Sequence, residues 1–369
     1  MQSTVDIASE ARTRHLLDLA MNGLQSMYIA QKGLFCFRLR KTSTGIVREG
    51  ISHRYTMMTL LGLLRAESAG VRSFIDIEAA LARLLTDTAW LDNIGDLGLL
   101  LWLCAAISRK QLKQFFAKFD LSAALEHYPD ARQLRTMELS WFLTGLTYAA
   151  KAEPSSELKE LADKTYRLAQ ANQGPRGLFG HMAKWHSFAG LVRSRIGSFA
   201  DQVYPILAMA LFSQVFDAEE ARDHALRCAE AACRLQGPLG QWWWHYDSVT
   251  GRVVERYPVY SVHQHAMAPM ALFELQDTGA ADFLEPIRKG LAWVSGHNEL
   301  QQDFEDRDAN VIWRCVLLSK QASYCARLGA LLRKKQSVEA NSLRSLFECR
   351  PYELGWLLYA LAGRDSQLA

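Results

Sequence analysis

Four groups of residues in this chain have the types and spacing to do chemistry. The densest runs Arg256-Tyr257-Pro258-Val259-Tyr260-Ser261-Val262-His263-Gln264-His265. Tyrosine and histidine near a basic residue can abstract a proton beside a carboxylate or protonate a glycosidic oxygen. With a helix starting near Tyr260, His263 lies one turn in. His265 points to a different face, because residues two apart do not share one. Tyr257, Tyr260 and His263 are therefore expected as acid, base or hydrogen-bonding groups, with Arg256 and His265 on the ligand. The same residues also have a plainer reading, in which the histidines bond backbone carbonyls and the tyrosines pack. His263 and His265 lack HExxH-like spacing and a carboxylate partner, so no metal site is expected.

The second group is Trp242-Trp243-Trp244-His245-Tyr246-Asp247. In extended chain, Trp242 and Trp244 share one face and Trp243 takes the other. One face can serve packing. The other offers a flat platform for a sugar ring or a hydrocarbon, with Trp243, Trp244 and His245 as the ligand-facing candidates. The third is Glu49-Gly50-Ile51-Ser52-His53-Arg54-Tyr55-Thr56. Ser52 is a plausible helix N-cap. Glu49, His53 and Arg54 are then expected to crowd the positive end of a helix, where they could bind an acidic group or relay a proton beside Tyr55. The alternative is a satisfied cap with surface charges. The fourth is a set of acids expected at the starts of apolar helices: Asp96, Glu138, Asp201, Asp308 and Glu353. The helix dipole favours a carboxylate there by roughly 0.3–1 kcal/mol. Glycosidases need just two carboxylates facing across a cavity, and these positions could supply them.

The elements that must position these groups are helical. Residues 5–30 place Ile7, Ala11, Leu16, Leu17 and Leu24 near one face, with charges opposite. Residues 33–50 read as a loop or hairpin, and 53–67 as a helix buried on both flanks. Amphipathic and nearly all-apolar segments then alternate. The amphipathic ones are 73–87, 109–126, 155–172, 217–236, 280–295 and 322–334. The apolar ones are 96–108, 136–151, 201–214, 260–276, 308–319 and 352–362. Half-exposed and buried helices thus take turns about seven times. The physical solution is an inner ring of buried helices wrapped by an outer ring, an α/α toroid of six or seven hairpins, with a superhelical solenoid as the competing arrangement. Gly62, Gly98, Gly145 and Gly355 in the inner helices would allow close approach at a crowded centre. No linker interrupts the pattern, so residues 1–369 are expected to form one domain.

The repeat also appears in the turns. Gln173-Gly174-Pro175-Arg176-Gly177-Leu178-Phe179 and Gln236-Gly237-Pro238-Leu239-Gly240-Gln241-Trp242 both fit Q-x-x-x-G-x-[FW]. Two excursions, from Gly33 through Gly45 to Glu49 and from Gly240 through Gly251 to Glu255, read as two-stranded hairpins at the cavity mouth. The turn pattern resembles the QW motif of the terpenoid cyclase and protein prenyltransferase toroids. That resemblance implies a glutamine that fastens helix ends and a tryptophan that stacks on it. Related toroids occur in polysaccharide lyases, sugar epimerases and six-hairpin glycosidases. Asp306-Arg307-Asp308-Ala309-Asn310 is similar to the D-x-D-[DT] acid motif of class II terpenoid cyclases, with Ala309 departing at the last position. The resemblance implies a fold and not, by itself, a chemistry.

Composition narrows the classes. Apolar residues make up 49% of the chain, enough for a large core. The net charge of +3, with no basic cluster, gives nucleic-acid binding no support. No apolar run approaches the roughly 20 residues of a membrane span. Seven cysteines without a CxxC pair, and an N-terminal segment unlike a signal peptide, fit a reducing cytosol. GxGxxG, P-loop and GxSxG motifs are absent, so nucleotide and other cofactor chemistry is not expected. The expected protein is an enzyme acting on a saccharide in an aromatic, His- and Tyr-lined cavity. A cyclase using Asp306 and Asp308, or a toroid filled by side chains that serves as a scaffold, are the alternatives.

Overall fold

The structure is a computed structural model and describes residues 2–127, 134–183, 188–319 and 340–368. In chain order its helices are α1 (Gln2–Met27), α2 (His53–Ser68), α3 (Ile77–Thr86), α4 (Ile94–Ile107), α5 (Arg109–Phe116) and α6 (Leu121–His127). Next come α7 (Thr136–Ala152), α8 (Ser156–Gln170), α9 (Phe188–Arg195), α10 (Ala200–Phe216) and α11 (Glu219–Arg234). A π-helical turn, His263–Met267, runs straight into the α-helix Ala268–Gln276, and the two together are called α12. Then follow α13 (Leu284–Val294), α14 (Pro351–Leu361) and α15 (Asp365–Leu368).

Six of these, α2, α4, α7, α10, α12 and α14, are apolar nearly all round and pack each against the next in a closed ring. The amphipathic helices lie outside it. The ring closes where the first outer helix, α1, packs on the last inner helix, α14. Inner helices touch backbone to backbone where glycines allow it. A Cβ on Gly62 would fall against the Gly355 carbonyl, and one on Gly98 against the Phe142 backbone. Local capping agrees with the sequence: the Ser52 hydroxyl accepts from Tyr55 N at 3.2 Å, and Asn93 caps α4 through Asp96 N at 2.9 Å.

The two Q-x-x-x-G turns are built alike. Gln173 donates to Gly177 O (2.8 Å) and to His224 O on α11 (2.9 Å). Gln236 donates to Gly240 O (3.0 Å) and to Pro286 O on α13 (2.9 Å). Each glutamine thus ties its own turn to the next outer helix. Gly177 (φ +87°) and Gly240 (φ +95°) lie in the left-handed region against that helix, which favours glycine.

Short strands precede the inner helices, at one end of the ring. β1 (Tyr28–Ile29) pairs with β2 (Leu34–Phe35). β3 (Arg38–Thr42) and β4 (Gly45–Glu49) form the first expected hairpin. β5 (Ile196–Ser198) joins the second hairpin, β6 (His245–Asp247) and β7 (Arg252–Glu255), with Ser198 opposite His245. β8 (Val259–Tyr260) pairs with β11 (Cys315–Leu318), Tyr260 opposite Cys315. β9 (Glu305–Asp306) pairs with β10 (Val311–Ile312), and β11 also with β12 (Leu343–Leu346). β13 (Glu348–Cys349) pairs with β3, joining the first hairpin to the segment before α14.

Two expectations are corrected. Residues 308–319 are not an inner helix but β10 and β11. Their apolar residues include the β-branched Val311, Ile312 and Val316, which suit strands and are buried in the core from there. Without that segment, the described residues hold six inner helices. Residues 109–126 split into α5 and α6 around Ala117–Asp120. The segment 322–334 lies outside the described residues.

Candidate active site at the ring mouth

The N-terminal turns of the inner helices meet at the strand-bearing end. Four of the five acids lie there, in the first turns of α4 (Asp96), α7 (Glu138), α10 (Asp201) and α14 (Glu353). The fifth is corrected: Asp308 is exposed on the turn between β9 and β10. Neighbouring Asp306 accepts from Ala309 N (3.0 Å) and Trp313 Nε1 (3.2 Å).

The first sector joins α2, α4, α7 and α10. Arg54 Nη2 donates to Asp96 Oδ2 at 2.7 Å, and its Nε reaches the other carboxylate oxygen. The guanidinium also lies 5.6 Å from the Trp141 ring centre. Burial pushes the Asp96 carboxyl up, and the Arg54 contact only partly offsets it. Glu138 is buried, and among the described residues its Oε2 has no hydrogen-bond partner. Its Oε1 is 3.6 Å from Arg135. Burial raises the Glu138 carboxyl, and the nearby Asp201 raises it further. Asp201 Oδ2 accepts from Ser198 N and Oγ, both 2.8 Å, and lies 3.1 Å from His181 Nδ1.

The second sector lies between α2 and α14. Tyr55 stacks on Phe37 (5.5 Å), meets Tyr352 (4.7 Å) and accepts from Arg350 Nη1 (2.8 Å). The expected crowding of Glu49, His53 and Arg54 does not occur. Glu49 turns back along its strand to Arg38 and Arg40, and those two arginines hold its carboxyl low. His53 stacks on Trp90 at 5.0 Å, and burial lowers its pKa. Arg54 goes to Asp96. A strand and a helix meeting at a cap send successive side chains in different directions, so adjacency in sequence does not carry over.

The third sector is the start of α12. His263 packs on Phe199 (4.6 Å), Tyr260 (5.2 Å) and, face to face, Trp244 (6.2 Å). Burial pushes its imidazole down to about 3. Tyr260 and Trp244 are half-buried, and the Arg314 guanidinium lies 4.7 Å over the Tyr260 ring. Arg314 is in turn ion-paired with buried Glu353. The tryptophans alternate as expected: Trp242 is buried on Phe199 (5.3 Å), whereas Trp243 packs on Tyr257 beneath Arg256. Tyr257 donates to Glu299 at 3.0 Å and is spent there. His245 pairs with Glu255 at 2.8 Å on the β6–β7 hairpin. His265 is fully buried, and burial lowers it to about 4. The structure therefore gathers Arg54, Tyr55, Tyr260, His263 and Trp244 around the mouth. It sets Glu49, Tyr257, Trp243, His245, Arg256 and His265 in the supporting hairpins or the core.

Sequence reasoning did not single out Trp141, His181, Tyr204, Arg314 or Arg350. Arg350 had a usable signal, since Pro351 after it marks a helix start. The others come from separate hairpins and have no local signature.

Below the mouth the axis is filled. Tyr204 on α10 accepts from Trp356 Nε1 on α14 at 3.0 Å. Trp102 on α4 stacks on Trp356 at 5.7 Å, and Tyr148 on α7 meets Tyr359 on α14, 3.0 Å between hydroxyls. These pairs join helices that are not neighbours in the ring, so they cross its centre. Among the described residues these pairs close the axis, and a separate cavity lies at the end away from the strands.

No protein-family model and no curated protein matches the sequence. Solved structures match along nearly the whole chain. A possible member of the GH105 family from Salmonella enterica superposes with a TM-score of 0.62 at 9% identity, over 97% of this chain and 94% of that one. An unsaturated glucuronyl hydrolase mutant from Streptococcus agalactiae gives 0.61 at 10% identity, over 98% and 92%. An unsaturated glucuronyl hydrolase specific for heparin gives 0.58 at 14% identity, over 96% of each chain. The chain has the α/α toroid fold. The similarity is to glycosyl hydrolase toroids, and at these identities it is a likeness of fold. Among the described residues no helix is long and apolar enough to cross a membrane.

Proposed function

We propose that this protein is a carbohydrate-acting hydrolase whose substrate enters the ring mouth. One observation carries the reading: Glu138 keeps a buried carboxylate oxygen without a partner among the described residues, in the first turn of an inner helix, beside Asp201. A carboxyl whose affinity for its proton is raised by burial is suited to protonate a glycosidic oxygen. In this reading Glu138 gives its proton to the leaving sugar. Asp201, positioned by Ser198 and His181, serves the attacking water. Trp244 and Tyr260 offer ring faces to a pyranose, and His263, held neutral, completes the wall behind Trp244.

The similar folds described as unsaturated glucuronyl hydrolases support testing acidic saccharides first. Arg350, which reaches Tyr55, is a candidate to meet a sugar carboxylate. The test is an assay of purified protein on unsaturated glucuronyl disaccharides and on neutral disaccharides, with Glu138→Gln alongside. Cleavage that Glu138→Gln removes supports the reading. No cleavage of any glycosidic bond by the wild type, or a Glu138→Gln variant of full activity, ends it.

A further inference from the structure

The second cavity lies at the opposite end of the ring, where the inner helices finish. It has a volume of about 940 Å³, in the range of small-molecule sites. Its floor carries Arg65 from the last turn of α2, Tyr148 from α7 and Glu274 from α12. Its outer wall carries Lys151 at the end of α7, and Ser156 and Lys159 at the start of α8. The aromatic plug separates it from the mouth: Tyr148 meets Tyr359, and the Arg65 guanidinium lies 5.8 Å from the Tyr359 ring centre.

Of the charged side chains lining this cavity, Asp277 is engaged by Arg364, and the others are unused. Among the described residues Arg65, Lys151, Lys159 and Glu274 make no side-chain hydrogen bond or ion pair. Arg65 and Glu274 feel each other electrostatically, yet stand too far apart to pair. Burial raises the Glu274 carboxyl, the sign of a group held away from bulk water without a full partner. An unpaired donor facing an unpaired acceptor, with no net charge between them, matches a hydroxyl, which can accept from one and donate to the other. The outer wall has a different character. Two ammonium groups converge with the N-terminal turn of a 15-residue helix, which favours a negative charge.

We propose that this cavity is a second ligand site, for a small anionic polyol such as a uronic acid or a sugar phosphate. The hydroxyls lie between Arg65 and Glu274, and the anionic group lies against Lys151, Lys159 and the first turn of α8. The site shares no residue with the mouth, and it stands or falls independently of the hydrolase reading.

The test is calorimetric titration of the full chain with D-glucuronate, glucose 6-phosphate, glucose and inorganic phosphate. The variants are Lys151→Ala/Lys159→Ala, Glu274→Gln and, as a control at the mouth, Glu138→Gln. The lysines are exposed and Glu274→Gln keeps its shape, so these variants should fold. Glucuronate or glucose 6-phosphate should bind, and whichever binds identifies the carboxylate or the phosphate as the anionic group. Glucose and inorganic phosphate should each bind about tenfold or more weakly, since each lacks half of the recognition. The double lysine variant should weaken the anionic sugar by about tenfold, Glu274→Gln should weaken it measurably, and Glu138→Gln should leave it unchanged. Failure of both anionic sugars to bind would overturn the proposal. So would glucose or phosphate binding as tightly, binding indifferent to the lysines, or binding lost in Glu138→Gln.

Discussion

Arg54 and Asp96 join two neighbouring inner helices at the mouth through both oxygens of one carboxylate, while the same guanidinium covers Trp141 on a third helix. One side chain thus fixes how α2, α4 and α7 stand relative to one another where the acids converge. Asp96, also held by Asn93 Nδ2 at 2.8 Å, has its oxygens engaged, whereas Glu138 does not. That difference is why Glu138 and not Asp96 is assigned the proton.

Arg54→Ala should cost about 3 kcal/mol in urea unfolding, because it leaves a buried carboxylate without its counter-charge. Arg54 is partly solvated, which keeps the figure at the low end for breaking such a pair. Arg54→Lys should recover part of the loss by restoring the charge without the two-point contact. A loss below about 1 kcal/mol for the alanine variant would show the pair to be solvated in practice.

Glu138→Gln should lower glycosidic cleavage by about 10²–10⁴-fold, the usual contribution of a positioned general acid. Folding should not suffer. A carboxyl raised by burial opposes folding once the pH exceeds its unfolded value, about 4.3, so removing its charge should raise the melting temperature at pH 7. The basic limb of the wild-type pH–rate profile should lie above the ordinary carboxyl range and vanish in the variant. A profile flat across that range, or a variant that melts lower, would remove Glu138 from the role.

His263 and His265 should make the protein acid-sensitive. Both are buried and lowered, to about 3 and about 4, so the folded state leaves them neutral where the unfolded chain takes up protons. Stability is intact above the unfolded value of about 6.5 and falls below it, by up to about 1.4 kcal/mol per pH unit for each histidine. Chemical denaturation between pH 7.5 and pH 4.5 checks this against His265→Gln, which should show a shallower slope. An unchanged slope would mean that the ring is protonated in the fold.

Gly62→Ala and Gly98→Ala should each destabilise by about 2–3 kcal/mol, because the added methyl must displace backbone of a facing helix. The loss should appear as a lower denaturation midpoint with little change in slope. A variant as stable as the wild type would mean that the helices part easily, and the close-packed ring would be wrong.

The outline of the architecture was legible in the sequence because it depends on local periodicity. An amphipathic segment must have a wet side and an all-apolar one cannot, so their alternation dictates two concentric rings. The Q-x-x-x-G turns and the glycines in apolar helices were likewise readable, since each answers a need met within one turn or one helix contact. The same rule misread residues 308–319 as a helix, where apolarity meant paired strands. Periodicity cannot separate a short buried strand from a buried helix.

The site divided along the same line. The sequence marked Asp96, Glu138, Asp201 and Glu353 as acids at helix starts, and all four lie at the mouth. It could not say which of them is unpartnered, because their partners come from other hairpins: Arg54 for Asp96, Arg314 for Glu353, and His181 with Ser198 for Asp201. Nor could it separate Trp244 and Tyr260 at the mouth from Tyr257 and His265, which sit a few residues away but are spent on Glu299 or sealed in the core. A residue's type and its helix phase are local properties. Its freedom to react depends on which groups from distant segments fill its lone pairs, and only ring closure settles that.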